Sequence, residues 1–216
     1  MKTGWLGVLL AAASGAAGGE SALPNLKQAK SIVLSRRVTG QVGKSLDFRV
    51  VQTDRSVNYK LRATWMTPEV IRANARIQQL EKGLREGGIV RLEEEARAAG
   101  SIVILVELDP HEGSGVIPSD WVALLGAPGH EGDTQRLARG VSSPKLRDVA
   151  ALGAVPPRDY SYELFWIVFP LTGNDGRPLF DSADQEAELT VRIQNRSGKV
   201  HWRVPDHVRA GAKAAK

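Results

Sequence analysis

The chain contains no cysteine among its 216 residues. This absence excludes disulfides, thiolate zinc sites, iron–sulfur clusters and cysteine nucleophiles. It also excludes the cysteine that a bacterial lipid anchor requires. The fold must therefore be stabilised by packing alone, and a chain of this length buries roughly 70% of its unfolded surface, which is enough for a core without cross-links.

Long hydrophobic runs are also scarce. The apolar stretch over residues 5–13 follows Lys2, precedes the small residues 14–19 and is shorter than the roughly 20 residues that span a bilayer. This layout predicts a secretory signal peptide over residues 1–22. The alternatives are an uncleaved anchor and a buried N-terminal helix. Cleavage would leave a periplasmic or secreted protein without a membrane span.

Charge of one sign does not dominate, although its distribution is uneven. The formal net charge is +5, yet residues 23–66 carry nine basic and two acidic side chains, and residues 101–186 carry six basic and thirteen acidic ones. A basic balance permits anionic partners without demonstrating them. Export, and the lack of any DNA- or RNA-binding fingerprint, predict that the protein has no nucleic-acid partner.

Alternating hydrophobicity predicts several strands. Residues 31–39 contain the apolar run Ile32-Val33-Leu34 and are interpreted as a strand, followed by a turn over residues 40–44. Residues 46–51 and 57–65 alternate apolar and polar side chains, which favours a hairpin. Residues 102–106 and 160–169 are continuously apolar in their centres and predict central strands.

A helical insertion is predicted at about residues 67–99. Thr67 can cap the free amides, Pro68 suits the first helical position, and Glu69 faces the positive end of the helix dipole. Gly87 and Gly88 interrupt the pattern, so we expect two helices or one kinked helix. The helical apolar stripe, which we expect to lie on the sheet, consists of Val70, Ile71, Ile77, Leu80 and Leu84.

The remaining pattern predicts a mostly β fold. Residues 121–125 form a short ordered piece in a Gly- and Pro-rich stretch, and residues 188–194 and 199–204 flank a four-residue hairpin loop. By analogy of architecture, these strands predict an immunoglobulin-like antiparallel β-sandwich with the helical insertion. It would form a single domain over residues 23–206, followed by a disordered basic tail over residues 207–216.

Two His-Glu-Gly triplets are the main candidates for chemistry. Imidazole and carboxylate groups together can hold a divalent metal. Neither triplet has the helical two-histidine spacing of zinc hydrolases, and both lie in Gly-rich stretches. We therefore predict no metal and no cofactor. The candidate metal ligands, should one exist, are Asp109, His111, Glu112, His130, Glu131 and Asp133.

No catalytic residue is predicted elsewhere. No Gly-x-Ser-x-Gly elbow presents a serine, and His201 is interpreted as a structural or surface residue. The carboxylate pairs Glu163 with Asp159 and Glu186 with Glu188 have no fixed separation. Among the tryptophans of the mature chain, Trp166 is assigned to the core, whereas Trp121 is the one most expected to be exposed.

Two functional hypotheses follow. The favoured one is an exported, non-enzymatic binding or scaffold protein of a bacterial envelope, whose partner is an envelope or extracellular protein or a glycan. The alternative is a secreted metal-dependent hydrolase with its site in the loops of residues 109–157. The first is preferred because no arrangement of nucleophile, base and orienting group is apparent in the sequence.

Overall fold

The computed structural model describes residues 23–43, 58–85, 87–110, 116–129, 134–155 and 162–209. In these ranges the chain forms three α-helices, which are α1 (Leu26–Ser35), α2 (Pro68–Lys82) and α3 (Gly87–Ala98). It also forms nine strands, which are β1 (Arg37–Val42), β2 (Tyr59–Trp65), β3 (Ile102–Pro110), β4 (Val122–Gly126), β5 (Ala138–Arg139), β6 (Val141–Ser142), β7 (Glu163–Phe169), β8 (Glu186–Ile193) and β9 (Arg196–Arg203).

The strands form two antiparallel sheets. The first sheet has the order β1-β2-β3-β7-β6, and the second has the order β5-β4-β8-β9. One apolar core contains side chains from both sheets, so the sheets pack face to face. The three helices contribute to a second core, on the outer face of the first sheet. The predicted β-rich sandwich with a helical insertion is confirmed at this level.

Strand β3 lies in the middle of the first sheet because both of its faces are apolar along most of its length. Ile104, Val106 and Leu108 belong to the core between the sheets. Val103 and Leu105 point the other way and belong to the helix-side core. This is the alternation of side chains that a strand imposes, and it confirms the central strand predicted from the apolar run.

The start of α2 is formed as predicted. Thr67 is its N-cap, the Thr67 hydroxyl accepts a hydrogen bond from the Val70 amide at 3.4 Å, and Pro68 occupies the first helical position. The helix ends at Gly83, whose φ of 64° lies in the left-handed region that glycine adopts most easily. A second helix, α3, follows, so the two-helix interpretation is confirmed, but Gly87 and Gly88 belong to α3 and α2 already ends before Gly83.

The predicted apolar stripe of α2 is wrong for its last two members. Val70, Ile71 and Ile77 are buried in the helix-side core. Leu80 and Leu84, however, are 40% and 39% exposed. They lie at the end of α2 and just beyond it, and this end of the helix extends past the surface that it covers.

Helix α1 corrects the predicted strand over residues 31–39. The Asn25 side chain accepts from the Gln28 amide, and the Gln28 side chain accepts from the Asn25 amide, both at 2.9 Å. This reciprocal cap stabilises a helix start. Ala29 and Val33, one turn apart, are buried against the other helices. Helical burial thus overrides the β preference of Ile32 and Val33, and the strand begins only at Arg37.

The turns predicted over residues 40–44 and 195–198 are also wrong in detail. Residues 40–42 continue β1, and Gly43 follows with a φ of 97°. In the β8–β9 hairpin, Ile193 pairs with Arg196, so the connection has two residues, Gln194 and Asn195. Gly198 belongs to β9, where a Cβ would lie 2.3 Å from the Gln41 carbonyl oxygen. That glycine serves a close approach of two backbones and not a turn.

The chain itself covers one side of the sandwich and part of the other. On one side, β1 and β9 touch, and the Gly43 amide donates to the Ser197 carbonyl at 3.3 Å. On the other side, residues 138–142 cross from the second sheet as β5 to the first sheet as β6; we call this segment the strap. At its centre, a Cβ on Gly140 would lie 2.3 Å from Ile167 Cγ2.

Several predictions concern residues outside the described ranges. The signal peptide over residues 1–22, the strand over residues 46–51 and most of the basic tail are among them. Of the predicted tail, residues 207–209 are described: Asp206–Val208 form a 3-10 turn, and Val208 is buried in the core between the sheets. No helix within the described ranges has the length and hydrophobicity needed to cross a membrane.

Candidate functional site

An aromatic pair lies at each end of the sandwich. At one end, Trp65 of β2 and Trp202 of β9 meet edge to face, with ring centroids 5.9 Å apart and an interplanar angle of 86°. At the opposite end, Trp121 and Phe165 meet with centroids 5.0 Å apart. We call these the Trp65 end and the Trp121 end. Each end also carries a cavity.

The larger of these two cavities, of about 580 Å³, lies at the Trp65 end, and we call it the aromatic cleft. Its walls come from three separate parts of the chain: the residue between α1 and β1, the start of α2, and the end of β9 with the turn that follows. The residues that line it are Arg36, Trp65, Thr67, Pro68, Glu69, Trp202, Arg203, Val204, Pro205, Asp206 and His207. A volume of this size is typical of a site for a small ligand.

The tryptophans give the cleft a rigid apolar wall. Trp65 is only 2% exposed and also contacts the ring of Phe180, with centroids 6.0 Å apart. Trp202 is partly buried and packs against the same core. Its indole N–H is buried and has no hydrogen-bond partner in the part of the chain that the structure describes. The Trp202 ring is thus positioned by its edge-to-face contact with Trp65 and by packing on the core.

The charged side chains of the cleft are mostly paired with one another. A guanidinium nitrogen of Arg36 lies 2.8 Å from a Glu69 carboxylate oxygen, and Arg209 lies 3.7 Å from Asp206. Arg203 is exposed and forms no ion pair with any described residue. Burial lowers the pKa of His207, and the neighbouring Asp206 carboxylate opposes that shift. Of the two arginines that line the cleft, Arg203 thus has no ion pair in the part of the chain that the structure describes.

The cavity at the Trp121 end is smaller, at about 310 Å³, and we call it the slot. It lies between β4 and β7, and its walls include Trp121, Phe165 and Ile167. Ser119, Ser142 and Glu163 supply its polar edge. Trp121 is partly buried, because its ring packs against Phe165 and the core between the sheets. Trp121, the tryptophan most expected to be exposed, is therefore only partly accessible.

An ionic cluster is buried on the outer face of the first sheet. The carboxylate of Glu107 on β3 is 0% exposed and lies 3.0 Å from Arg37 Nε of β1. Neither Glu107 oxygen accepts a hydrogen bond within the described residues. The Arg37–Glu107 contact is therefore an ion pair without hydrogen-bond geometry. Burial raises the pKa of Glu107, and the positive charges of Arg37 and Arg62 act in the opposite direction.

The cluster is covered by a distant part of the chain. Arg37 donates a hydrogen bond to the Val155 carbonyl at 2.8 Å. The Arg62 guanidinium lies 4.0 Å from the centroid of the Tyr162 ring, which is a cation–π geometry. Glu107 is inaccessible, and Arg37 and Arg62 already contact Val155 and Tyr162. We therefore interpret the cluster as part of the fold and not as a binding site.

Only one of the six predicted metal candidates lies in the described ranges. Asp109 is buried at the end of β3, with its carboxylate 3.4 Å from the Lys60 ammonium. His111, Glu112, His130, Glu131 and Asp133 lie outside the described residues. Within those ranges, no group of three or more metal-ligating side chains comes together. The absence of metal stays a prediction.

The flanks of the two His-Glu-Gly triplets are anchored far apart. Pro110 pairs with Tyr59 at the Trp121 end of the first sheet. Gly129 follows β4, whose last residue, Gly126, pairs with Glu188 at the Trp65 end. The described residues next to the triplets therefore lie at opposite ends of the sandwich, an arrangement that topology sets and that spacing along the chain does not reveal.

The other predicted site residues have ordinary structural roles. His201 is half exposed on β9, with Nε2 3.6 Å from Glu188, as expected for a surface residue. Glu188 is buried and also lies 3.3 Å from Lys199. Glu186 and Glu163 are exposed, and Asp159 lies outside the described residues. Trp166 is in the helix-side core, where its indole donates to the Leu152 carbonyl at 2.8 Å, so its assignment to the core is confirmed.

Sequence reasoning missed most of the aromatic cleft. Arg36 lies more than 150 residues before Arg203 and His207 in the chain, and none of the three belongs to a motif. The one available signal was Trp202, which lies near the end of an alternating strand, three residues before Pro205. Comparisons of the chain with models of protein families, with curated proteins and with solved structures gave no match. The likeness to the immunoglobulin fold therefore stays an analogy of architecture.

Proposed function

We propose that the chain is an exported, non-catalytic binding protein of a bacterial envelope, and that the aromatic cleft is its binding site. The observation that carries the proposal is the cleft itself. It combines about 580 Å³ of space, an indole wall packed on the core, and Arg203, which forms no ion pair within the described ranges. Predominantly apolar walls with a few polar groups that set orientation are the usual composition of a small-molecule site.

The residues of the cleft favour binding over catalysis. Among those that line it, Thr67 carries the one hydroxyl, and that oxygen accepts the amide hydrogen of Val70 as a helix cap. A hydroxyl nucleophile needs an adjacent base, and the Thr67 hydroxyl is already used as the helix cap. For the alternative hydrolase in residues 109–157, the one described metal candidate, Asp109, is paired with Lys60. This pairing does not favour a hydrolase.

Binding can be tested with a matched pair of variants. Purified mature protein is screened by thermal unfolding against small sugars, amino acids, dipeptides and organic acids, because a ligand that binds only the native state must raise the melting temperature. We expect at least one of these ligand classes to raise the melting temperature of wild type and of Trp121→Leu but not of Trp202→Leu. The ligand should be recovered chemically unchanged.

Three outcomes would count against this proposal. If no class raises the melting temperature, the cleft is not a small-molecule site. If the shift persists in Trp202→Leu, the site lies elsewhere. If the ligand is recovered as a hydrolysis product, the protein is an enzyme and the alternative hypothesis gains support.

Export is tested separately. The sequence layout of residues 1–22 supports cleavage of a signal peptide. Mass spectrometry of the protein from its host should then show a first residue between Ser14 and Leu23. Recovery of mature protein that starts at Met1 or Lys2 would contradict export with cleavage.

A further inference from the structure

We infer that the aromatic cleft recognises a carboxylate attached to a flat apolar ring, with Arg203 binding the carboxylate and Trp202 contacting the ring. This inference rests on the proposed function and names the class of its ligand. It follows from three features of the cleft, which are its residual charge, its geometry and the acids at its rim.

The residual charge comes from counting the pairs. Arg36 is neutralised by Glu69 at 2.8 Å, and Asp206 has Arg209 at 3.7 Å. Arg203 remains. Its partner in the strand register is Glu186 of β8, but the two form no ion pair within 4.0 Å in the described chain. Among the described residues, Arg203 is therefore the one arginine of the cleft without an ion pair, and this favours one negative charge on the ligand.

The geometry favours a planar group at this position. A guanidinium presents a flat fork of N–H donors that matches the two oxygens of a carboxylate. Trp202 precedes Arg203 at the end of β9, its ring meets Trp65 at 86°, and both Trp202 and Arg203 line the cleft. Pro68 and Pro205 extend the apolar lining. A flat ring with an attached carboxylate can use both kinds of surface at once.

The acids at the rim disfavour a more highly charged ligand. Glu69 and Asp206 both line the cleft. Because these acids already hold Arg36 and Arg209, a phosphate dianion would bring two negative charges to a cleft in which Arg203 is the one arginine without an ion pair among the described residues. A neutral sugar could contact the indole but would leave Arg203 without a role. A monoanionic carboxylate on a flat ring is the ligand class that uses both the indole wall and Arg203.

The test uses benzoate as the probe, with benzamide as its neutral counterpart of nearly the same shape. Binding to the full mature protein is followed by NMR, through the indole N–H signal that Trp202→Phe removes. We expect benzoate to shift this signal and benzamide to bind about tenfold more weakly or less, because a hydrogen bond to a charged group contributes far more than one to a neutral group.

Variants locate the carboxylate. Arg203→Gln should weaken benzoate binding about tenfold or more and leave benzamide binding nearly unchanged, since the lost interaction involves the ionised group. Arg203→Lys keeps the charge but loses the fork, so its affinity should be intermediate. Arg192→Gln, an exposed arginine on β8 near the Trp121 end, is the matched control and should bind like wild type.

The outcomes separate this inference from the proposed function. Equal affinity for benzoate and benzamide, or unchanged benzoate binding in Arg203→Gln, would overturn the carboxylate inference alone. The same holds if phenyl phosphate or a neutral sugar binds in the cleft and benzoate does not. If none of these probes, nor any class in the thermal screen, binds to the cleft, both the inference and the proposed function fail.

Discussion

The two faces of the first sheet bury their side chains in different ways. On the inner face, β3 contributes Ile104, Val106 and Leu108 to a core shared with the second sheet. On the outer face, the same strand begins with Val103 and Leu105 under the helices and continues with Glu107 and Asp109. Along β3, the inner face is apolar over its whole length, whereas the outer face changes from apolar packing to ion pairs.

The difference shows what each face requires of the chain. Apolar burial on the inner face is non-directional. Any apolar side chain of suitable size stabilises the fold in proportion to the apolar area that it removes from water. The buried charges on the outer face need particular partners, because an uncompensated charge away from water is costly. Arg37, the Val155 carbonyl and Tyr162 reach the cluster from three distant segments.

The largest effect is expected from moving a charge to the inner face. Val106→Glu places a carboxylate in the core between the sheets, where no cation lies on that face of β3, and should cost about 5 kcal/mol or more. Chemical denaturation followed by tryptophan fluorescence measures the loss. Val90→Glu, on the exposed surface of α3, is the control and should unfold like wild type; equal stability of the two variants would show that Val106 is not buried as described.

The second effect concerns removal of the carboxylate from the outer face. Glu107→Ala leaves Arg37 and Arg62 without their acid and should lower the free energy of unfolding by about 3–5 kcal/mol. In the double variant Arg37→Met, Glu107→Leu, apolar groups replace the pair, so much of that loss should be recovered. A double variant that is less stable than Glu107→Ala would argue against the ion pair as the cause.

A smaller effect is expected in the pH dependence of stability. Because burial raises the folded-state pKa of Glu107 above its usual value of 4.5, the native state holds its proton more tightly than the unfolded state. This contribution to stability is complete below about pH 4.5 and is lost as the pH rises through the folded pKa. Burial of His207 has the opposite sign, with stability lost as the pH falls below about 6.5.

The Glu107 contribution is isolated by comparison with Glu107→Gln, which cannot titrate. The unfolding free energy of wild type minus that of the variant should fall as the pH rises from about 4 to 8. Urea denaturation at several pH values gives this difference, and the His207 contribution cancels because both proteins contain it. A difference that grows with pH would mean that attraction to Arg37 and Arg62 outweighs burial.

The smallest effect is expected where the helices leave the sheet. Leu80→Asp should cost about 1 kcal/mol or less, because Leu80 is 40% exposed and the substitution changes mainly helix propensity. Ile77→Asp, one turn earlier and buried in the helix-side core, should cost several kcal/mol. Thermal unfolding of the two variants side by side checks the boundary of that core.

Local patterns predicted the elements that local physics controls. The apolar run of β3 indicated a strand buried on both faces, and Thr67 with Pro68 marked the start of α2. The same approach failed at residues 31–39, where the β-branched Ile32 and Val33 favoured a strand but the cap at Asn25 and burial against α2 produce a helix. Gly198 was assigned to a turn because its real constraint, the Gln41 backbone, is distant in sequence.

The candidate site was out of reach for the same reason. The aromatic cleft depends on bringing Arg36, Trp65 and Trp202 together, and this follows from how β1, β2 and β9 are placed. No spacing along the chain encodes that placement. The twin His-Glu-Gly triplets, in contrast, were conspicuous in the sequence, yet their described flanks are anchored at opposite ends of the sandwich.

The covered sides of the sandwich affect how readily a second chain can add to its sheet edges at high protein concentration. A strand with open backbone groups is a template on which a second chain can add, and this is a common route to aggregation. Here β1 lies against β9, and the strap occupies part of the opposite side, with Ser143 donating to the Trp166 carbonyl beyond β6. Gly40 and Gly198 permit the first contact and Gly140 the second, so three residues without side chains allow the chain to cover edge positions to which a neighbouring strand could otherwise add.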